Sequence, residues 1–279
     1  MCPSCGSLVG VRDDKCYSCG RSNPGLWGFG PLLRQLGADL GFVQLVIGAS
    51  AIVYALTLLA SGAALQVVGG GMNILSPSRS ALMLFGMSGA VPVYGNGDWW
   101  TLLTASWLHG GLIHILFNMM YLRQIGPPTA EIIGPSRTVI VYVVSGAAGF
   151  LLSSTAGFLL GGIPIPLLHG AYFTMGASAS IFGLLGALVH YGRKSGSSHI
   201  RGQATQYAIM AGVFGLIFPG IDNYAHAGGF IGGYLASAVM NPLTRERGDH
   251  ILIAIGSLAV SFVAIAFSVL RGLGLFSAS

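Results

Sequence analysis

Three short stretches of the sequence place uncharged polar side chains among apolar residues, and the residue types are those of a hydrolytic site. The stretches are TMGASASIFG, with Ser178 and Ser180; NYAHAGGF, with His226; and WLHGGLIHILFN, with His109, His114 and Asn118. A serine within hydrogen-bonding reach of a histidine is an activated nucleophile. The N–H groups of histidine and asparagine can stabilise the oxyanion that forms when such a nucleophile attacks a carbonyl. Together the stretches predict nucleophilic catalysis by a serine and His226.

Each of these residues also has an ordinary structural interpretation. A lone serine in a membrane helix usually donates to a carbonyl of the preceding turn. A lone histidine or asparagine usually joins neighbouring helices. Ser178 and Ser180 differ by about 200° around a helix, so only one of them can face His226. The nucleophile therefore stays open between the two serines on spacing alone.

The composition is that of a membrane protein. Of 279 residues, 53% are hydrophobic and only 8% are charged, whereas a soluble domain has about 25% charged residues. A helix needs roughly 20 apolar residues to cross a bilayer. The uncharged runs predict seven spans, near 41–61, 102–122, 137–160, 176–192, 203–219, 225–241 and 251–270. Their interiors lack the carboxylates of ion pumps and the arginines of voltage sensors, and no internal repeat suggests a transporter.

The basic residues predict the orientation of the chain. With a cytosolic N-terminus, all but two of the 13 Lys and Arg residues fall on the cytosolic side, the exceptions being Arg79 and Arg271. This asymmetry follows the positive-inside rule. It accounts for the net charge of +5 without a nucleic-acid partner, since no basic patch with interleaved aromatic residues occurs. We expect a multi-pass protein of the plasma membrane whose polar stretches lie in the outer half of the bilayer.

Glycines beside the polar residues indicate close helix packing. Phe182 and Gly186 lie on the same helix face as Ser178, and Gly229 and Gly233 follow His226 at i+3 and i+7. Small residues spaced by one turn let two membrane helices approach closely. If these two faces meet, Ser178 Oγ reaches a nitrogen of His226.

The first 20 residues carry two C-x2-C pairs, Cys2 with Cys5 and Cys16 with Cys19. Two such pairs provide the four thiolates of a tetrahedral zinc site, and the metal can stabilise a segment too short to have a core. Disulfides are the alternative, but they are rare on the cytosolic side of a membrane. We therefore predict a structural zinc ion here and no cofactor in catalysis.

In these motifs the chain resembles the rhomboid intramembrane serine proteases. The resemblance is carried by H-x4-H-x3-N (His109, His114, Asn118), by G-A-S followed by IFG (Gly176, Ala177, Ser178), and by A-H-x-x-G-x-x-x-G (Ala225, His226 and the glycines after it). The motifs occur in the family's order, on the second, fourth and sixth predicted spans.

The resemblance implies a role for each matched position. Ser178 is implied as the nucleophile, His226 as the general base, and His114 and Asn118 as oxyanion donors. His109 and Gly176 are implied as supporting residues, and the Phe182 ring as packing on His226. Trp100 matches a family tryptophan, but Thr101 follows it where the family often has arginine. Asp222 can either orient His226 or cap the sixth helix, and we favour the cap because Asp commonly accepts from free N–H groups at a helix start.

The predicted fold is all-α, with a six-helix rhomboid core and one further C-terminal transmembrane helix. The predicted parts are a zinc-ribbon-like cytosolic module (1–22), a linker (23–40), the protease core (41–241), and a seventh transmembrane helix with a tail (242–279). The predicted function is cleavage of transmembrane segments of other membrane proteins, with a possible cytosolic partner for the zinc module. The alternative is a non-catalytic rhomboid-like protein that binds or escorts membrane proteins.

Overall fold

The structure is a computed structural model that describes residues 2, 4–10, 13–24, 36–65, 74–163, 170–218 and 220–274. Regular structure in these residues is helical, apart from two isolated β-bridges. The helices are α1 (Phe42–Ser61), α2 (Arg79–Leu84), α3 (Thr101–Thr104), α4 (Leu112–Ile133), α5 (Pro135–Leu160), α6 (Ser178–Ser195), α7 (Ser198–Ile217), α8 (Asn223–Met240) and α9 (Gly248–Gly272). Most of the predicted linker, and Arg12 and Arg34 of the charge argument, lie outside the described residues.

Within the described residues, three helical segments are long and apolar enough to cross a membrane: Phe42–Ala64, Pro135–Leu160 and Gly248–Gly272. The remaining long helices, α4, α6, α7 and α8, carry more polar residues or glycine and so have a lower hydropathy. Three of them contain the predicted site. A helix that places His, Asn or Ser inside the protein is less apolar than one that faces lipid.

The long helices lie close to six of the predicted spans, but the second span differs. We predicted one helix over 102–122, whereas α4 begins at Leu112 and runs to Ile133. The residues before it form α3 and a short 3₁₀ turn at Ala105–Trp107. The prediction was wrong because an apolar run was taken as a span although Gly110 and Gly111 interrupt it. These short helices are buried in protein, which is where irregular backbone can exist at membrane depth.

The centre of the molecule is formed by α5, α6 and α8. The side chains of Tyr142, Phe150, Leu184 and Leu185 are almost fully buried there. Helix α4 packs on α5 and α6, α7 packs on α6, and α9 packs on α5 and on the loop that contains α3. The site is therefore carried by helices that other helices enclose.

The loop from Ile74 to Gly111, hereafter the first loop, is hydrogen-bonded to the segment that precedes α6. Ser88 and Thr174 form an isolated antiparallel bridge, with N···O distances of 3.0 and 2.7 Å. The Gly176 N–H donates to the Ala105 carbonyl at 2.9 Å. The first loop consequently sets the position of the chain that leads into Ser178.

Candidate active site

Ser178 and His226 lie within hydrogen-bonding distance of each other. Ser178 is the first residue of α6, His226 lies in the first turn of α8, and the distance from Ser178 Oγ to His226 Nε2 is 2.9 Å. His226 is buried, whereas Ser178 is partly exposed. A histidine nitrogen in this position can accept the hydroxyl proton and so turn the serine into a nucleophile.

The approach of α6 to α8 depends on glycines. A Cβ on Gly229 would lie 2.1 Å from the Ala179 carbonyl oxygen, and one on Gly233 would lie 2.0 Å from the Gly183 carbonyl oxygen. On α6, a Cβ at Gly186 would lie 2.1 Å from the Phe230 carbonyl oxygen. No side chain larger than hydrogen fits at these three positions, so the predicted faces do meet.

The two glycine doublets of α8 serve two different neighbours. In each doublet the second glycine, Gly229 or Gly233, packs on α6. The first glycine, Gly228 or Gly232, packs on Ala148 of α5, where a Cβ would lie within 2.9 Å of an Ala148 atom. Helix α8 thus packs between α5 and α6. The sequence analysis predicted the contact with α6 but not the one with α5.

The imidazole of His226 is oriented by stacking. The Phe182 ring lies parallel to it, with centroids 4.2 Å apart and an interplanar angle of 12°. Asp222 instead caps α8, since its Oδ1 accepts from the Ala225 N–H at 2.9 Å, and its Oδ2 accepts from the Ser153 hydroxyl at 2.5 Å. Nδ1 of His226 has no hydrogen-bond partner among the described residues. The capping interpretation of Asp222 is therefore confirmed.

His114 and Asn118 lie one turn apart on α4 and both approach Gly176. A Cβ at Gly176 would lie 2.6 Å from His114 Nε2 and 3.8 Å from Asn118 Nδ2. Nδ1 of His114 accepts from the Gly110 N–H at 3.4 Å, so in the neutral imidazole the proton belongs on Nε2, which faces Gly176. His114 thus presents an N–H group to the segment that carries Ser178. Asn118 Nδ2 donates one N–H to the His114 carbonyl at 3.0 Å, and its amide has a second N–H.

Backbone N–H groups add to these donors. The first N–H groups of a helix have no partner within the helix, and Ser178 begins α6. The first hydrogen bond of this turn is from Ile181 N to the Ala177 carbonyl, at 3.0 Å. The start of α6 therefore supplies positive potential beside the serine hydroxyl.

His109 differs from its predicted place. We expected it on the same helix as His114, but it lies in the turn before α4 begins. It is fully buried, and neither ring nitrogen has a partner among the described residues. Its ring contacts that of His114 edge-on, with centroids 5.2 Å apart. It is positioned to support His114 by packing.

Ser180 points away from His226. Its hydroxyl lies 3.2 Å from that of Ser106, and its side chain is fully buried. Geometry thus separates the two serines as helix periodicity predicts. The sequence analysis missed Ser106, Ser153 and the Ala105 carbonyl as supporting groups, because nothing in a sequence indicates which distant segment such a group contacts.

The four cysteines at the N-terminus form one cluster. Their sulfur atoms all lie within 4.8 Å of one another. Cys2 Sγ lies 3.6 Å from Cys19 Sγ, and Cys5 Sγ lies 3.6 Å from Cys16 Sγ. These separations exceed a disulfide bond of about 2.05 Å and match the roughly 3.8 Å between sulfurs of a tetrahedral zinc site. The cluster can hold a metal ion.

The two C-x2-C-G turns of the cluster have the same backbone structure. Gly6 N donates to the Cys2 carbonyl at 2.9 Å, and Gly20 N donates to the Cys16 carbonyl at 2.8 Å. Both glycines have positive φ angles, 74° and 70°, which other residues rarely adopt. Hydrogen bonding to the side chain and backbone of Ser7 favours the Cys5 thiolate and lowers the pKa of this thiol to about 6.

Comparison with known proteins identifies the family of this chain. The family described as Rhomboid domain matches residues 96–243. Rhomboid protease GluP of Bacillus subtilis is 31% identical over 205 residues, which cover 71% of this chain and 37% of that protein. RHOMBOID-like protein 4 of Arabidopsis thaliana is 34% identical over 171 residues, 60% of this chain and 40% of that protein.

One relative is named as inactive. Inactive RHOMBOID-like protein 8 of Arabidopsis thaliana is 31% identical over 163 residues, 57% of this chain and 43% of that protein. The chain thus spans less than half the length of each of these three relatives. The domain match covers more than half of this chain, and three helical segments of the chain are long and apolar enough to cross a bilayer. The chain therefore belongs to the rhomboid family and is an integral membrane protein.

Proposed function

We propose that this protein is an intramembrane serine endopeptidase that cleaves transmembrane segments of other membrane proteins. The observation that carries the proposal is the 2.9 Å contact between Ser178 Oγ and His226 Nε2. The contact lies inside a helical membrane protein of a family with protease-named members. Family membership alone does not decide the activity, because a relative of equal identity is named inactive.

The reaction proceeds through an acyl-enzyme. His226 Nε2 accepts the proton of Ser178 as Oγ attacks the carbonyl carbon of the scissile peptide bond. The tetrahedral intermediate collapses when the imidazolium returns the proton to the leaving amine nitrogen, which breaks the C–N bond. Water then attacks the ester with His226 again as base, which releases the carboxyl product and restores Ser178.

Oxyanion donors complete the proposed mechanism. The N–H groups of His114 Nε2, Asn118 Nδ2 and the Ser178 backbone donate to the oxygen that gains negative charge. Their effect is large because they are fixed before the reaction and lie in an apolar environment. No carboxylate is needed, since Phe182 holds the imidazole and Asp222 is engaged by the start of α8 and by Ser153.

The substrate must expose a peptide carbonyl to Ser178. A stable helix hides its carbonyls in i to i−4 hydrogen bonds, so the preferred substrates are membrane segments with small or helix-breaking residues near the cleaved bond. The site opens to the outer face of the plasma membrane, which supplies the water for deacylation. The N-terminus lies in the cytosol.

Cleavage of a transmembrane test substrate tests this function. Ser178→Ala and His226→Ala should each lower cleavage by a factor of about 10⁴ or more, because a serine–histidine unit acts as a whole. Ser180→Ala is the matched control and should keep activity, since this serine contacts Ser106 and not His226. Substantial cleavage by either of the first two variants, when expressed at the normal level, contradicts the dyad. Binding of membrane proteins without any cleavage by the native chain would favour the escort function.

The N-terminal cysteines hold a structural zinc ion outside the membrane, on the cytosolic side. The support is the tetrahedral spacing of the four sulfurs. Metal analysis of the purified chain should find about one zinc per chain. Cys5→Ser with Cys16→Ser should remove it, while the catalytic contact persists because it lies at the other side of the bilayer. If the chain is purified under reducing conditions and is found to contain no zinc, the result contradicts this assignment.

A further inference from the structure

The last helix, α9, contacts the first loop through aromatic side chains in its C-terminal half. The Phe262 ring lies 4.8 Å from that of Trp107, and the Phe267 ring lies 4.8 Å from that of Trp100, edge to face at 89°. Trp107 is almost fully buried. Ser268, which follows Phe267, lies beside Gly86, where a Cβ would be 3.1 Å from the Ser268 hydroxyl.

Arg271, at the C-terminal end of α9, makes two specific contacts with the first loop. Its guanidinium carbon lies 4.7 Å from the centroid of the Trp100 ring. Its Nη1 forms an ion pair with Oδ1 of Asp98. Asp98 is mostly covered, with 16% of its side chain exposed, whereas Arg271 is 45% exposed. A planar guanidinium can stack on an aromatic face and pair with a carboxylate at the same time.

Hydrogen bonds continue from these contacts to the catalytic segment. Thr101, next to Trp100, donates to the Asp98 carbonyl at 2.7 Å, and its hydroxyl lies 3.3 Å from that of Ser88. Ser88 is bridged to Thr174. Ala105, four residues after Thr101, accepts from Gly176, which contacts His114 and precedes Ser178 by two residues. A shift of the first loop would therefore shift the oxyanion donors relative to Ser178.

The other end of α9 is also attached to the core. Arg137 of α5 is buried and donates to the carbonyls of Thr244 at 2.8 Å and Arg245 at 3.0 Å, just before α9 begins. Glu246 in turn accepts from the Arg137 backbone N–H at 2.8 Å. With its start held by α5, α9 presents Arg271 to the first loop in a defined position.

We infer that Arg271 is a positioning residue for catalysis: from the last helix it holds Trp100 and Asp98, and through the first loop it sets the Gly176–Ser178 segment. This inference rests on the proposed protease function. It assigns α9 a part in the geometry of the site, where the sequence analysis treated it as a further transmembrane helix only. The role is indirect, since Arg271 does not contact Ser178 or His226.

The first test is kinetic. Arg271→Ala should lower kcat for a transmembrane substrate about three- to tenfold, with KM changed less than about twofold. This is the effect expected of losing a cation–π contact that is neither fully exposed nor fully desolvated. Arg271→Lys should fall between, because lysine keeps the charge but not the planar stacking. Arg247→Ala is the control and should leave kcat unchanged, because it breaks a more exposed Arg–Asp pair at the other end of α9, far from the first loop. Equal kcat for the Arg271→Ala and Arg247→Ala variants, or an effect on KM alone, overturns the inference.

The second test does not need activity, so it separates this inference from the proposed function. Hydrogen–deuterium exchange of the inactive Ser178→Ala chain should speed up in residues 88–107 and 170–178 when Arg271→Ala is added. It should not change there when Arg247→Ala is added. Unchanged exchange in the 170–178 segment overturns the coupling, whereas absence of cleavage by the native chain overturns only the protease proposal.

Discussion

At the scale of residues, the site uses a histidine that is held by an aromatic ring. Phe182 stacks on His226 while Ser178 lies at its Nε2 atom. Asp222, four residues before His226, instead accepts hydrogen bonds from the start of α8 and from Ser153. A carboxylate at helix spacing from a histidine is thus no sign of a triad when it also stands at a helix start.

Gly176 lies against His114, one of the proposed oxyanion donors. Its φ angle is 126°, and a Cβ there would lie 2.6 Å from His114 Nε2. Gly176→Ala should therefore lower kcat about 100-fold, the effect of losing one oxyanion donor. The protein should remain folded.

Gly95→Ala is a control in the first loop, which is hydrogen-bonded to the segment that contains Gly176. A Cβ there would meet only Val91, at 3.8 Å, so activity should be retained. Circular dichroism checks the fold of both variants, and cleavage rates check the effect. Normal turnover by the Gly176→Ala variant would show that His114 is not an oxyanion donor.

At the scale of helices, the glycines of α6 and α8 decide whether the pair can form. Gly233→Ala would place a methyl group 2.0 Å from the Gly183 carbonyl oxygen. We expect it to lower the free energy of unfolding by about 1–3 kcal/mol, the usual cost of overpacking, and to reduce cleavage by separating Ser178 from His226.

Gly212→Ala on α7 is the matched change, since a Cβ there has nothing within 4 Å. It should be neutral or stabilising by up to about 1 kcal/mol, the difference in helix propensity. Thermal unfolding in detergent measures both variants. Equal stability of the two would contradict the close packing of α6 on α8.

Most of the long helices could be predicted from sequence because they follow from periodicity, whereas the choice of Ser178 over Ser180 as the partner of His226 came from the resemblance to the rhomboid G-A-S motif. The apolar runs mark the helices, and small residues one turn apart mark the face that meets a neighbour. The first loop could not be predicted in this way. Its residues 102–108 belong to an apolar run that Gly110 and Gly111 interrupt. The interruption is visible in the sequence, but the burial of these residues against α9 and the segment before α6 is not.

Contacts between distant segments were equally hidden. Arg271 was identified from sequence only as one of two basic residues on the outer side, and its partners Asp98 and Trp100 lie far from it in the chain. Ion pairs of this kind have no periodicity. They emerge only when the helices are packed.

At the scale of the whole molecule, the two ends of the helix bundle differ in charge, since Arg193 and Lys194 lie at the end of α6. Asn96 and Ser195 are both exposed and lie toward opposite ends, in the first loop and at the end of α6. With the N-terminus in the cytosol, a membrane-impermeant thiol reagent applied to intact cells should label the Asn96→Cys variant. The Ser195→Cys variant should react only after the cells are permeabilised.

The labelled peptide, identified by mass, separates these cysteines from the four native ones. The expected pattern follows from the positive-inside rule, since Arg193 and Lys194 adjoin Ser195. Protection of the cysteine at position 96 together with labelling at position 195 would reverse the orientation.

The most direct measurement of the central claim is the covalent labelling of Ser178 by a fluorophosphonate probe. Such probes react with a serine only when a base activates it. Mass spectrometry of the membrane-embedded protein should find the adduct on Ser178, and His226→Ala should abolish it while Ser180→Ala leaves it intact. An adduct that persists in the His226→Ala variant, or that forms on Ser180, would contradict the account.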